Sequence, residues 1–236
     1  MSDVKIISTS PPYAALQPQQ ALLICHPISQ PIGIREDVLG EAKKLSPVTR
    51  QVEYASSREF LLRIASDLLG EPVELSDLKR LPNGALSFGN AKFENLKFNL
   101  THSKRSLGFA FQKLKSPGVD VESVARFSKG ITPRERKWLH SSEMDWLNSH
   151  QASDEKPFRL CLLWTIKEAL TKREGTGFAS GFKNLNILEM ADLDSKLISF
   201  SIGEDILSLA VPKDTAELHV SSPTFAIIDL HELFLI

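Results

Sequence analysis

The 236-residue sequence predicts an α+β fold, and three observations lead there. Helical spacing dominates from Val38 to Leu69. A run of clean strand-like alternation, "SLGFAFQ", follows in the middle of the chain. A second helix, "LLWTIKEALTKREGTGF", then stands ahead of a tail in which strand-like runs alternate with turns. Helices and strands thus mix in both halves without strict β–α alternation, the pattern of an α+β protein. The length allows one large or two small domains, and either can bury a core.

Taken in order, Ala21 to Cys25 reads as a strand, closed by the Pro/Gly turn region "HPISQPIGIRED". In "SSREFLLRIASDLLG" the residues Phe60, Leu61, Ile64, Ala65 and Leu68 form a broad apolar helical stripe that ends at Gly70. "LKRLPNGALSFGN" is turn-rich. "FENLKFNLTHS" and "SLGFAFQ" follow as strands, with Leu107, Phe109 and Phe111 on one face of the second. "KLKSPG" turns the chain into "VDVESV". "ITPRERKWL" is expected to open a helix, with Thr132 as N-cap, Pro133 in the first turn and Glu135 completing a capping box. The polar stretch "NSHQASDEKP" precedes the second long helix, and the tail runs from Leu185 to "FAIIDLHELFLI". No internal repeat or low-complexity segment is present.

Composition excludes some functions. With 28 Lys+Arg against 29 Asp+Glu the net charge is −1, without the basic excess that tracking a nucleic-acid backbone needs. A local basic pocket for one phosphorylated ligand remains compatible with it. Two cysteines, Cys25 and Cys161, do not make a disulfide framework, and a reducing compartment is expected. The most apolar early run, "ALLICHPI", is too short for a membrane span or a signal peptide, so a cytoplasmic protein without a membrane partner is expected. Cys25-His26 has no second Cys/His pair at ligand spacing, which leaves it as a strand cysteine.

Three clusters carry potential chemistry. In "GVDVE" a strand places Asp120 and Glu122 on one side, where they form either a solvated face or a pair of oxygen ligands for a hard cation such as Mg²⁺. "FNLTHS" ends in Thr101, His102 and Ser103; Thr101 and His102 could donate to a phosphate, although a lone histidine at a strand end is more often structural. On the second helix Trp164, Glu168 and Lys172 fall in one row, with Lys167 about 100° around from Glu168. Glu168 and Lys172 then form either a surface i,i+4 pair or part of a site. Gly175 and Gly177 after the helix allow a close backbone approach. If this helix faces Asp120 and Glu122, a third carboxylate and two lysines complete a metal–diphosphate site.

In this order "FNLTHS", "GVDVE" and "LWTIKEALTKREGTGF" resemble the signature of the 4′-phosphopantetheinyl transferases, and the length is similar to the larger, surfactin-synthetase-activating type. "FSKGITPRE" resembles the family's F-[ST]-x-x-E segment, and "LSPVTRQVEYASSREFLLR" its L-S-x-x-E…R-x-F-x-x-G-R segment. The resemblance implies two similar α+β halves packed as an intramolecular pseudo-dimer, residues 1–113 and 114–236, with the active site in the cleft between them. It implies a holo-[acyl-carrier-protein] synthase type of activity. The phosphopantetheine arm of coenzyme A passes to a serine of an apo acyl or peptidyl carrier protein, and adenosine 3′,5′-bisphosphate leaves.

By position, Asp120, Glu122 and Glu168 would hold Mg²⁺, or Mn²⁺ in its place. Glu168 would be the general base, directly or through a metal-bound water, and Lys167 and Lys172 would bind the diphosphate. Trp164 would set the helix against the sheet. His102 would contact the 3′-phosphate of coenzyme A, with Thr101 in place of the usual serine. Arg63 would bind the same phosphate although Leu62 replaces the family's glycine, and Arg58 is the alternative. In "KRLPNG" Leu81 stands where the basic residue usually precedes proline, leaving Lys79 or Arg80 as phosphate contacts. Glu135 would either cap its own turn or support the site. A monomer is expected. The competing class is a non-catalytic module that binds coenzyme A or a carrier protein. A nucleotide hydrolase of the P-loop kind lacks its G-x-x-x-x-G-K-[ST] loop here.

Overall fold

The computed structural model describes residues 4–28, 33–149, 155–176, 181–192, 194–222 and 224–234. Parts of the turn after the first strand, of the polar stretch before the second long helix and of the Gly-rich segment after it, Gly177 included, lie outside the described residues. The chain is α+β. Its strands are β1 (Lys5–Ser8), β2 (Gln20–Pro27), β3 (Leu78–Arg80), β4 (Leu86–Phe88), β5 (Leu96–His102), β6 (Ser106–Lys113), β7 (Gly118–Ser123), β8 (Ser195–Ile202), β9 (Asp205–Pro212), β10 (Glu217–Ser221) and β11 (Ala226–Ile228). The α-helices are α1 (Glu36–Ala42), α2 (Val48–Leu69), α3 (Ser141–Ser149), α4 (Lys156–Glu174) and α5 (Leu230–Phe234).

Two sheets lie back to back between the two long helices. The first has the order β1-β10-β2-β6-β5, parallel across β1, β10 and β2 and antiparallel from β2 onward. The second is antiparallel throughout, β11-β8-β9-β7. Strand alternation builds the layers. Leu107, Phe109 and Phe111 of β6 face α2, while Ala110 between them faces the other sheet, where it meets Val119, Val121 and Leu207. On the far side α4 packs on the second sheet through Cys161, which donates to Glu122 O at 3.4 Å, Thr165, whose hydroxyl lies 2.8 Å from Ser208 Oγ, and Ala169 against Gly118. Separating the chain at 113/114 divides the sheets except for β10, which returns to pair with β1 and β2 in the first.

The expected helix across "ITPRERKWL" is a single 3₁₀ turn, Glu135–Lys137, and the α-helix begins only at Ser141. The capping contacts do form: Glu135 accepts from Thr132 N at 3.1 Å and from its hydroxyl, and Thr132 Oγ1 accepts from Arg134 N at 3.2 Å. The turn stops there as Trp138 and Leu139 enter the core at 2% and 0% exposure. The helical run expected from Val38 is likewise two helices, interrupted before Pro47, the residue that leads into α2. The turn-rich segment around Asn83 closes the short β3–β4 hairpin.

Two features bring the second sheet against its neighbours. A side-chain atom at Gly118 would lie 1.9 Å from Ala169 O and 2.6 Å from Arg173 N, so only glycine lets β7 approach α4 this closely. On its other edge β7 meets β5 without a ladder. Asn99 Oδ1 and Thr101 Oγ1 of β5 instead accept from Val119 N (3.2 Å) and Val121 N (3.3 Å). Side chains thus satisfy edge amides that would otherwise be buried without partners.

Candidate active site

Because Val119 and Val121 point into the space between the sheets, Asp120 and Glu122 point the other way, toward α4. Asp120 is buried, at 7% exposure. Its Oδ1 accepts from Thr101 Oγ1 at 2.9 Å and from Lys172 Nζ at 2.7 Å, and the same ammonium donates to Val119 O at 3.2 Å. Glu122 is paired with Arg126 and accepts from Ser123 N at 3.0 Å. The Arg126 guanidinium lies 4.4 Å from the centre of the Trp164 ring and 5.3 Å from that of Phe127, so two aromatic rings help to hold it in place. The carboxylate of Glu168, on the facing side of α4, makes no hydrogen bond or ion pair within the described residues.

Charge is therefore unevenly compensated. Burial, and next the charge of Asp120, hold the Glu168 carboxyl above the usual carboxylate range despite Lys172 and Arg126 nearby. Burial also raises Asp120, more than Lys172 and Thr101 pull it down, and Glu122 adds to the rise. The surface pair between Glu168 and Lys172 does not form, because the lysine reaches across to β7 instead. Three carboxylates on two facing elements are the oxygen donors that a hard divalent cation takes. As placed, no three His, Cys, Asp or Glu side chains among the described residues are gathered closely enough to hold an ion. Two of the three are occupied by cations of the protein itself.

Beside this cluster opens a cavity of about 320 Å³, walled by the β3–β4 hairpin, β5 and the end of α4. Arg58, Arg80 and Lys172 all line it. Arg58 is buried at 8% exposure, stacked 4.7 Å over the Tyr54 ring and donating to Ser57 Oγ at 3.2 Å. Burial, opposed by Tyr54 and reinforced by the charge of Arg80, lowers its affinity for its proton. Arg80 donates to Gly84 O at 2.8 Å. Asn83 Nδ2 donates to Gly175 O at 3.1 Å and joins the hairpin to the helix end, where Gly175 takes the left-handed conformation, φ 71°.

The remaining candidates are placed elsewhere. Lys167, expected at the diphosphate, is a correction: it is 0% exposed and donates to Glu143 Oε2 (2.6 Å), Trp138 O (3.0 Å) and Phe182 O (2.9 Å). Its three donors are taken, because one residue from Glu168 rotates the helix into the core. Arg63 faces away from the basic cavity into a larger one of about 740 Å³, where it pairs with Glu59 at 2.7 Å and with Gly33 O. The arginine in the cavity is Arg58. His102 is exposed at the end of β5 and lines neither cavity, Thr101 is turned to Asp120, and Lys79 is exposed outside the cavity. Trp164 is a packing residue, but the rings it meets, Trp138, Phe127 and Phe182, belong to the 3₁₀ turns and connections around α4 and not to the sheet against which it was expected to set the helix. Arg126, Glu143 and Asn83 escaped the sequence reading. Arg126 is four residues from Glu122, but the pair spans a strand end and a 3₁₀ turn, where helical spacing rules have no force.

Fold and site define an α+β protein in which a carboxylate cluster between a strand and a helix adjoins a small basic cavity. Residues 116–219 match the family model of the 4′-phosphopantetheinyl transferase superfamily, a segment that holds Asp120, Glu122, Glu168 and Lys172. Over 75 residues the chain is 37% identical to the holo-[acyl-carrier-protein] synthase of Lactococcus lactis subsp. lactis (strain IL1403), covering 30% of this chain and 63% of that protein. The chain thus spans less than two thirds of that relative's length. Arg58 and Arg80 lie ahead of the family match. Among the described residues no helix is long and apolar enough to cross a membrane.

Proposed function

We propose that this protein transfers the 4′-phosphopantetheine arm of coenzyme A to a serine of an apo carrier protein, as an enzyme of the larger, surfactin-synthetase-activating type. The observation that carries the reading is one helix, α4, which packs on β7 at Gly118, holds Lys172 2.7 Å from Asp120 and lines a basic cavity with that lysine. Asp120, Glu122 and Glu168 would hold Mg²⁺ or Mn²⁺, which neutralises charge on a diphosphate as it breaks. Arg58, Arg80 and Lys172 bind phosphate groups of coenzyme A, Arg58 taking the part first expected of Arg63. His102, exposed next to Thr101, remains a contact only for a ligand part that extends beyond the cavity.

The serine oxygen forms a bond to the β-phosphorus while the bond to the 3′,5′-bisphosphate leaving group breaks. The serine proton passes to Glu168, whose carboxyl is held above the usual carboxylate range by burial and by the charge of Asp120 and so takes up a proton more readily than an exposed glutamate. Each half crosses one sheet with one long helix, α2 or α4, which supports reading them as a repeated unit.

The test is to incubate the protein with coenzyme A, Mg²⁺ and a panel of apo carriers from fatty-acid, polyketide, peptide-synthetase and lysine-pathway systems, then weigh each carrier. At least one carrier should gain the mass of the phosphopantetheine arm on its serine, and a chelator should prevent it. If the folded protein binds coenzyme A or a carrier and none gains mass, the non-catalytic binding module replaces this reading.

A further inference from the structure

We infer that Lys172 is the internal counter-ion of the carboxylate cluster, and that a divalent cation binding there displaces its ammonium into the basic cavity. The inference rests on the proposed function and goes beyond it by coupling two ligands through one side chain.

Lys172 has two places to be. Its Nζ is 2.7 Å from Asp120 Oδ1, yet the side chain is 27% exposed and lines the cavity with Arg58 and Arg80. It bypasses Glu168, one helical turn back on the same face, to reach the more deeply buried Asp120. Arg126 serves Glu122 in the same way, but its planar group is stacked on Trp164 and Phe127, whereas lysine carries a compact charge on a flexible stem. Lys172 is therefore the cation able to leave. A dication shared by Asp120, Glu122 and Glu168 would repel an ammonium that touches the same carboxylate oxygen. Asp120 would still be held by Thr101, so departure of the lysine does not free the carboxylate.

The released ammonium would then add to the charge of Arg58 and Arg80 facing the cavity. By linkage, a cation at the cluster tightens a phosphate ligand in the cavity, and that ligand tightens the cation by the same factor. The carboxylates, which do not stand at ion-holding spacing in this arrangement, would gather only after the lysine has gone.

Mn²⁺ titrations followed by electron paramagnetic resonance, without coenzyme A, compare the wild type with Lys172→Met. The variant should bind Mn²⁺ more tightly, by roughly 5- to 150-fold as for other couplings between sites. In parallel, wild-type protein is acetylated briefly with acetic anhydride with and without Mn²⁺, and each lysine is quantified by mass spectrometry. Lys172 should react faster with Mn²⁺ present, while Lys167, sealed in the core, stays unreactive in both. An unchanged or weaker Mn²⁺ affinity in the variant overturns the inference, as does absence of Mn²⁺ binding to both proteins. If the variant does not fold, the wild-type acetylation decides alone, and a rate indifferent to Mn²⁺ overturns the inference. Carrier loading by the wild type separates the two ideas. Loading without the affinity gain removes only the lysine exchange, and an affinity gain without loading removes only the transferase reading.

Discussion

Glu168 is the residue on which chemistry and stability pull in opposite directions. Placed half-buried near Asp120, its carboxylate without a direct partner among the described residues, its charge disfavours the fold until a cation arrives. Glu168→Gln removes that charge in a shape that α4 accepts, since glutamine is a good helix former. The metal-free variant should melt at or above the wild-type temperature. Carrier loading should fall by about 10²–10⁴-fold, the usual contribution of a general base. Melting curves and a loading assay on the two proteins check both halves. A variant that melts as the wild type does and loads at a similar rate would leave Glu168 without a catalytic part. Its neighbour Lys167 shows how little separates the two kinds of residue. One position along the helix turns the side chain from the cluster to a fully buried hydrogen-bonded pair with Glu143, whose other oxygen accepts from Ile187 N at 3.0 Å.

At the scale of elements, the contact of α4 with β7 decides whether the carboxylates face one another. Gly118 makes that contact possible, because any side chain there would penetrate the backbone of α4 at Ala169 and Arg173. Gly118→Ala must push the helix off the strand, and overpacking of this kind costs about 1–3 kcal/mol or more. The expected outcome is a lower denaturant midpoint at unchanged slope, with carrier loading reduced beyond what the unfolded fraction explains. An alanine variant as stable and active as the wild type would mean that β7 and α4 do not touch as described. The same proximity was invisible in "KLKSPGVDVE", where Pro117-Gly118 reads simply as a turn.

At the scale of the whole molecule, the two sheets are tied by a polar node as well as by their shared apolar layer. Asp205, at the start of β9 and 2% exposed, accepts from Ser103 Oγ (2.7 Å), Ser106 Oγ (3.0 Å) and Arg105 Nη2 (3.0 Å) of the β5–β6 hairpin. Asp205→Ala would strand the two buried hydroxyls, at about 1–3 kcal/mol for each unsatisfied group. The variant should unfold at clearly lower denaturant. It should also require more coenzyme A for half-maximal loading, because β5 both receives this hairpin and walls the basic cavity. Unchanged stability would show the node to be dispensable.

Within an element, the sequence by itself determined a great deal. Alternation put Leu107, Phe109 and Phe111 on one face and Asp120 with Glu122 on another, and helical period separated Glu168 from Lys167. The α+β class and the ends of α2 at Gly70 and α4 at Gly175 were also legible, since a left-handed cap is a local demand. Only the tertiary structure decided which arginine reaches the cavity, that Lys172 meets Asp120 instead of Glu168, and that β10 returns to the first sheet. Local periodicity fixes the direction in which a side chain leaves its own backbone. What it meets depends on elements brought together from far along the chain, 52 positions apart for Lys172 and Asp120 and 102 for Ser103 and Asp205, and no short-range pattern records that distance.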